Sequence, residues 1–347
     1  MTGTLTSDGP VRVLIVDDSA SMRAALNRIL SADSDIEVVG LAPEPNAARA
    51  MIKDLNPDVL TLDIEMPGMD GLSFLERIMR LRPMPVVMCS TLTARGTAAT
   101  IEALRLGAVD CIAKPTGNPL DIARDAARLC ATVKAAARST VRRAPDQVAP
   151  VKPVPPGSLR DVVIAIGAST GGVEALFSIL KALPADCPPI LVVQHMPAAF
   201  TPGFASRLDK ECAMKVVEAV DGTPIAQGTV YIAPGGHTHM ELVGGVHGRL
   251  KLRATEPCCG HRPSVDVLFR SVSELGAAAV GVMLTGMGSD GAEGLFAMRT
   301  AGARTLGQSR ETCVVYGMPR AAFALGAVDR EVALSAMPEA ILGACRK

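Results

Sequence analysis

The chain has no tryptophan, no Cys-x-x-Cys pair and no excess of either charge, with Lys plus Arg and Asp plus Glu both numbering 35. Each absence removes a class of protein. Balanced charge leaves no electrostatic footprint for nucleic acid. No apolar run is long enough to span a bilayer and no secretory signal opens the chain, so a cytoplasmic protein without membrane insertion is expected. The nine cysteines are odd in number and lack metal-type spacing, which argues against a disulfide scaffold. They are expected as reduced thiols, several packed as small hydrophobes. What remains is 48% hydrophobic, drawn largely from Ala, Val, Leu and Ile. That composition suits packed α/β layers, and 347 residues suit two domains with substantial cores.

The N-terminal part alternates strand and helix signals. Residues 11–16 are β-branched and aliphatic apart from Arg12, as a strand buried on both faces should be. Met22, Leu26, Ile29 and Leu30 then recur at helical spacing, as do Leu72, Leu75 and Met79. Further strands are expected at 37–41, 59–62, 85–89 and 109–113. Five strands with helices between them predict a parallel sheet covered on both sides. From about residue 135 the pattern dissolves, and 144–158 holds five prolines, the mark of an extended linker. The αβ pattern resumes at 162–166, followed by a helix with Val173, Leu176, Phe177 and Leu180 on one face. Strands are expected at 190–193, 230–233 and 278–284, and a hairpin from 241–243 and 250–253. Thr201 and Pro202 read as a helix cap followed by proline at the first helical position.

In an open parallel sheet, ligands bind beyond the carboxyl ends of the strands. Asp17, Asp18 and Asp63 converge there from two strands, and three such carboxylates repel unless a hard cation lies among them. Mg²⁺ suits that role, because it takes a few carboxylates together with water and phosphate oxygens. Ser90 and Lys114 close two further strands and would offer a hydroxyl and a point charge to a phosphoryl group. A carboxylate in that setting can accept phosphate as an acyl phosphate. An Asp-Asp pair alone is often a helix cap, and a lone Lys-Pro means nothing. Four such groups in order on four strand ends reverse that balance.

Gly167-Ala-Ser-Thr-Gly171 follows a strand and opens a helix, the context of a nucleophile elbow. The same glycines, with Gly172, also suit a loop that cradles an anion. Partners favour the nucleophile. Serine needs a base; His195 closes a strand at the same sheet edge, and Asp290 follows another buried strand, from which it could orient the imidazole. His237, His239, His247 and His261 compete as bases, but none follows a strongly apolar central strand. The order Ser, His, Asp differs from that of the α/β-hydrolases. A zinc reading of Cys258, Cys259 and His261 is weak, because adjacent cysteines do not match the usual ligand spacing, and it is set aside.

Residues 11–131 resemble a response-regulator receiver domain, through Asp17-Asp18, Asp63-Ile-Glu-Met-Pro-Gly-Met-Asp-Gly71, Ser90 and Lys114-Pro115. Residues 160–345 resemble the catalytic domain of the chemotaxis protein-glutamate methylesterases of the CheB type. The matching stretches are Ile166-Gly-Ala-Ser-Thr-Gly-Gly172, Gln194-His-Met-Pro197, Ile232-Ala-Pro-Gly-Gly236, His261-Arg-Pro-Ser-Val-Asp266, Leu284-Thr-Gly-Met-Gly-Ser-Asp-Gly291 and Val315-Tyr-Gly-Met-Pro319. The resemblance implies a flavodoxin-like receiver at 11–131, a linker at 132–158 and a doubly wound, mostly parallel α/β hydrolytic domain at 159–347. It implies phosphorylation of Asp63 by a histidine kinase, with Asp17 and Asp18 helping to hold Mg²⁺. It further implies Ser169 as nucleophile, His195 as base and Asp290 as orienter, with Thr170 and the backbone near Met287 contributing to the transition state. The implied reactions are demethylation of glutamate γ-methyl esters on chemoreceptors and deamidation of particular glutamines, without a cofactor for hydrolysis. A monomer is expected, with the receiver blocking substrate entry until phosphorylated. Two departures from the family pattern stand out: Cys111 where many receivers carry an aromatic, and Ser289 in place of an asparagine. The rival reading is a non-catalytic response regulator whose second half binds a ligand through the Gly-rich loop.

Overall fold

The computed structural model describes residues 9–91, 93–114, 119–141, 151 and 159–346. The chain divides into two compact units, Met1–Pro145 and Asp146–Lys347. The proline-rich stretch 144–158 lies, apart from residue 151, outside the described residues, as does Pro115.

In the first unit the elements run β1 (Val11–Val16), α1 (Ala20–Leu30), β2 (Ile36–Ala42), α2 (Pro45–Leu55), β3 (Val59–Asp63), α3 (Gly71–Leu81), β4 (Val86–Ser90), α4 (Ala94–Arg105), β5 (Asp110–Ala113) and α5 (Pro119–Ala137). The last helix continues past residue 131 to Ala137. The strands pair in the order β2-β1-β3-β4-β5, all parallel. Every residue of β3 and β4 is buried, as strands covered on both faces require. Helix starts are fixed locally: Ser19 accepts from the Met22 N–H, Asp70 from Ser73 and Thr93 from Gly96. Such caps stabilise by about 1 kcal/mol each. The buried stripe of α3 is Phe74, Leu75, Ile78 and Met79, with Leu72 only half-buried at its margin. Gly71 opens that helix where a Cβ would lie 2.1 Å from the Asp63 carbonyl oxygen, so only glycine lets the loop behind Asp63 close this tightly.

The second unit runs β6 (Val163–Ala168), α6 (Gly172–Ala182), β7 (Ile190–Gln194), α7 (Thr201–Glu211), β8 (Lys215–Glu218), β9 (Thr229–Ile232), β10 (His239–Val243), β11 (Arg249–Arg253), α8 (Val265–Ser273), β12 (Ala279–Met283), α9 (Ala292–Thr300), β13 (Arg304–Gln308), α10 (Met318–Ala324), β14 (Arg330–Val332) and α11 (Met337–Cys345). Seven strands form one parallel sheet in the order β14-β13-β12-β6-β7-β9-β8. The expected hairpin is present as β10 and β11, an antiparallel pair apart from that sheet. Its Met240, Leu242 and Leu250 join Val265, Leu268, Phe269 and Val272 of α8 in one buried cluster. The start of α7 differs from expectation by one residue. Phe200 is the capping position, without a side-chain bond, and Thr201 is already helical. The reason is that the Thr201 hydroxyl is engaged by Glu218 and the Ala198 carbonyl instead of the helix's own N–H groups.

Both sheets reverse strand order beside their first strand, β1 next to β3 in one and β6 next to β12 in the other. Crevices form at such switch points, outside the carboxyl ends of the strands. Both sets of candidate residues lie there.

Candidate functional site

In the first unit, Asp17 follows β1, Asp63 ends β3, Ser90 ends β4 and Lys114 follows β5. Lys114 Nζ lies 2.8 Å from Asp17 Oδ2 and 2.7 Å from Asp63 Oδ2. These contacts are ionic. Neither oxygen receives an aligned hydrogen bond, although both are buried. The other Asp17 oxygen accepts from the Ser19 N–H at 2.9 Å, and Arg23 braces the loop through the Asp17 and Asp18 carbonyls. Burial, with the charge of Asp17 adding to it, holds the Asp63 carboxyl above its usual range despite Lys114. Burial also opposes the Lys114 charge, yet the two carboxylates more than offset it and raise the ammonium. Asp17, Asp18 and Asp63 each offer a carboxylate oxygen within 4.8 Å of the others. Three carboxylates against one ammonium leave a surplus of buried negative charge that fits a divalent oxygen-loving cation. Asp18 is the exposed member, on the solvent side. Ser90 is buried and its hydroxyl donates to the Thr91 carbonyl at 3.0 Å. Cys111 is buried within β5, so no ring occupies that place.

In the second unit, Ser169 is the residue after β6 and His195 the residue after β7. The two strands pair in parallel with Ala168 opposite Gln194, and the His195 N–H donates to the Ala168 carbonyl at 3.0 Å. The turn that carries Ser169 needs its glycines for separate reasons. A Cβ on Gly167 would meet Val265 Cγ1 at 2.2 Å, and one on Gly172 would meet Gln194 Oε1 at 2.2 Å. Gly171 has φ +76°, a left-handed conformation that side chains disfavour. Ser169 itself is half-buried, with its N–H held by the Thr285 carbonyl at 3.0 Å.

Asp290 is 2% exposed and saturated. Oδ2 accepts from His195 Nε2 and from the Val265 N–H, both at 2.8 Å. Oδ1 accepts from Ser264 Oγ at 2.7 Å and from the Asp266 N–H at 3.1 Å. The carboxylate therefore also caps α8, where the helix N-terminus favours negative charge. Burial alone would raise its pKa, but the bonds from His195, Ser264 and Val265 hold it below the usual carboxylate value. With Nε2 committed to Asp290, Nδ1 of His195 is buried and without a hydrogen-bond partner. That nitrogen is the one free to take a proton. No hydrogen bond joins it to Ser169 Oγ in this state, a looseness common before substrate binds. Thr170 is buried at the start of the turn. Met287 is half-buried in the loop after β12, next to Gly286, where a Cβ would lie 2.8 Å from that of Ser169.

A methylesterase family model described as CheB methylesterase matches residues 164–341, and a response regulator receiver domain model matches 13–123. A relative from Caulobacter vibrioides, named protein-glutamate methylesterase/protein-glutamine glutaminase 1, is 56% identical over 339 residues, covering 96% of this chain and 97% of the relative. The chain belongs to the CheB methylesterase family. A relative of the same name from Rhizobium johnstonii is 54% identical, with 96% of each chain covered. The crystal structure of the Thermotoga maritima CheB methylesterase catalytic domain aligns with a TM-score of 0.51 at 37% identity, over 52% of this chain and 97% of that one.

Within this CheB-family fold, Gln194 and Ser264 support the site without having been candidates, and His261, a candidate base and zinc ligand by sequence, takes a different place. Gln194 is buried, and its Nε2 donates to the Ser169 carbonyl at 2.9 Å and the His195 carbonyl at 3.1 Å, tying two strand ends together. Ser264 holds Asp290. His261 stacks on His195, with ring centroids 3.8 Å apart and planes 3° from parallel. Each lies in a stretch that carries the family resemblance, which was the available signal. The remaining histidines separate cleanly. His239 is fully buried, with Nδ1 accepting from the Ser264 N–H and Nε2 donating to the Glu256 carbonyl, a structural role that fixes its tautomer. His237 and His247 are exposed. All nine cysteines are free, six of them buried. Among the described residues, no helix is long and apolar enough to cross a membrane.

Proposed function

We propose that this chain is a phosphorylation-regulated serine hydrolase. It removes methyl groups from glutamate γ-methyl esters of chemoreceptors and converts particular receptor glutamines to glutamate. The observation that carries this reading is the His195 ring, committed to Asp290 through Nε2 and open at Nδ1, on the strand next to Ser169. Ser169 Oγ attacks the side-chain carbonyl while Nδ1 takes its proton. The same nitrogen returns the proton to the leaving methanol, or to ammonia from a glutamine. Water then releases the acyl group with His195 again as base. Asp290 keeps Nε2 protonated and stabilises the imidazolium. Backbone N–H groups around Thr170 and Met287 are assigned to the developing oxyanion. The names of the relatives, both methylesterase and glutaminase, support the two reactions.

In the receiver, Asp63 is assigned as phosphoryl acceptor, with a histidine kinase as donor. Mg²⁺ would be held by Asp17, Asp18 and Asp63, and when bound it supplies the positive charge that lets a carboxylate approach a phosphate. Lys114 reaches both buried carboxylates and is placed to follow the phosphoryl group, and the Ser90 hydroxyl needs only to leave the Thr91 carbonyl to join it. The protein is taken to work in the cytoplasm as a monomer, with the unphosphorylated receiver restraining the hydrolase. A ligand-cradling loop is less well supported, because the Gly172 N–H is used by the Ser169 carbonyl at 2.7 Å. Methanol release from methylated receptor membranes, with and without a phosphodonor, tests the reading. Release that is absent in both conditions sinks it, and release indifferent to the donor removes the regulation.

A further inference from the structure

The adjacent cysteines set aside from their spacing are brought together by the fold. In an extended segment neighbouring side chains point to opposite sides. Here Cys258 and His261 close a tight turn through reciprocal backbone bonds of 3.1 and 2.9 Å, and Cys259 inside it has φ +52°. A left-handed non-glycine residue costs of order 1 kcal/mol and persists where surrounding structure holds it. One consequence is that both thiols face the same way. Cys258 Sγ, Cys259 Sγ and one oxygen each of Asp266 and Asp290 all lie within 4.8 Å of one another.

The four atoms are chemically unlike an acidic surface cluster. Asp266 and Asp290 are 3% and 2% exposed, whereas Cys258 is half-buried and Cys259 exposed, which leaves a way in from solvent. Asp266 Oδ1 accepts from the Gly294 N–H at 2.6 Å, and the Cys259 thiol lies 3.7 Å from Oδ2. A tetrahedral zinc ion with ordinary bond lengths sets sulfur–oxygen edges of about 3.6 Å and sulfur–sulfur edges of about 3.8 Å. With Cys259 Sγ already 3.7 Å from Asp266 Oδ2 and no pair beyond 4.8 Å, closing on an ion needs at most about an ångström, within the reach of side-chain rotation. His261 is not a member of the set, since its ring stacks on His195.

We propose that Cys258, Cys259 and Asp266 form a binding site for a soft divalent cation of the zinc type, with Asp290 completing the tetrahedron. Binding displaces two thiol protons to solvent and two thiolates take their place around the ion. Because Asp290 is shared, an ion here competes with His195 Nε2 for that carboxylate and slows the hydrolase. That second effect rests on the triad assignment above; the binding site does not.

Full-length protein kept reduced with a phosphine is titrated with Co²⁺ as the probe. One equivalent should produce thiolate-to-metal charge transfer and tetrahedral ligand-field bands, both displaced by Zn²⁺. The double variant Cys258→Ser/Cys259→Ser should lose the bands, Asp266→Asn should weaken binding at least tenfold, and Cys212→Ser should bind as wild type. Absent bands, or bands that survive in the double variant, overturn the site. Fluorophosphonate labelling of Ser169 then reads the coupling: Zn²⁺ should slow it at least tenfold in wild type and leave the double variant at its own metal-free rate. Labelling that ignores bound Zn²⁺ overturns the sharing of Asp290. Protein that binds Co²⁺ but never labels, even without metal, refutes the hydrolase reading and leaves the metal site standing.

Discussion

Asp63 ends, and Asp290 follows in the next loop, the strand across the switch point of its own parallel sheet, yet their surroundings are opposite. Asp290 receives four hydrogen bonds, and its pKa is held down. Asp63 keeps a buried oxygen without an aligned donor, faces a second carboxylate, and its pKa is held up. A saturated carboxylate is a fixed electrostatic reference, open to a further partner only where that partner displaces a bonded donor. An under-satisfied one retains lone pairs for a cation or a phosphoryl group. The contrast teaches that hydrogen-bond supply, more than position on the sheet, divides an orienting carboxylate from a reacting one.

The contrast breaks most sharply at the nucleophile. Ser169→Ala should lower methylesterase turnover by about 10⁶-fold, and Asp290→Asn by about 10⁴-fold, since it leaves the base in place but unfixed. Turnover of the serine variant near wild type refutes the assignment. On the other side of the comparison, Asp63→Asn should eliminate the base-labile adduct formed with acetyl phosphate and Mg²⁺. Intact-mass measurement checks this, and an equal adduct in the variant places the acceptor elsewhere.

The two carboxylates should also differ in sign as pH changes. Asp290, depressed when folded, contributes stability above the ordinary carboxylate value of 3.8, and that contribution is lost as pH falls through its folded value. Asp63, raised when folded, binds its proton more tightly in the native state. Its contribution therefore favours folding in acid and declines as pH rises from 3.8 through the raised value. Asp63→Asn should accordingly raise the receiver's unfolding transition at neutral pH by a few degrees, with the gain vanishing in acid. Calorimetry of the full chain reads it; a gain that persists unchanged below the ordinary carboxylate value contradicts this account. The smallest effect concerns packing. Gly167→Ala drives a methyl into Val265, whose N–H holds Asp290, and should cost about 1–3 kcal/mol in denaturant melts. A neutral result means the helix start moves freely.

Strand identity was legible because largely aliphatic runs such as Val11–Val16 suit strands covered by helices on both faces, and strand ends then located Asp17, Asp63, Ser169 and His195. Asp290 was legible from the loop after a buried strand. What could not be read was orientation. Which imidazole nitrogen faces Asp290 depends on Ser264 and α8, elements that meet the loop only in three dimensions. The stacked His261 and the convergence of Cys258 with Cys259 depend on one left-handed residue, and no periodicity announces it. The start of α7 shifted for a similar reason, because a distant glutamate competed for the threonine hydroxyl.

Asp290 bonds a histidine 95 positions earlier in the chain. At synthesis rates of about 5–20 residues per second, the ribosome delivers it about 5–20 s after His195. During that interval the nascent chain carries Ser169 and His195 without the carboxylate that fixes the ring, and the Val265 and Asp266 N–H groups at the start of α8 lack the acceptor that Asp290 supplies. Reactivity and the closing of the second core thus arrive in one event late in translation. On the proposed triad a chain that still lacks Asp290 should label slowly, so the onset of fast serine labelling during synthesis becomes a clock for when this half of the molecule finishes folding.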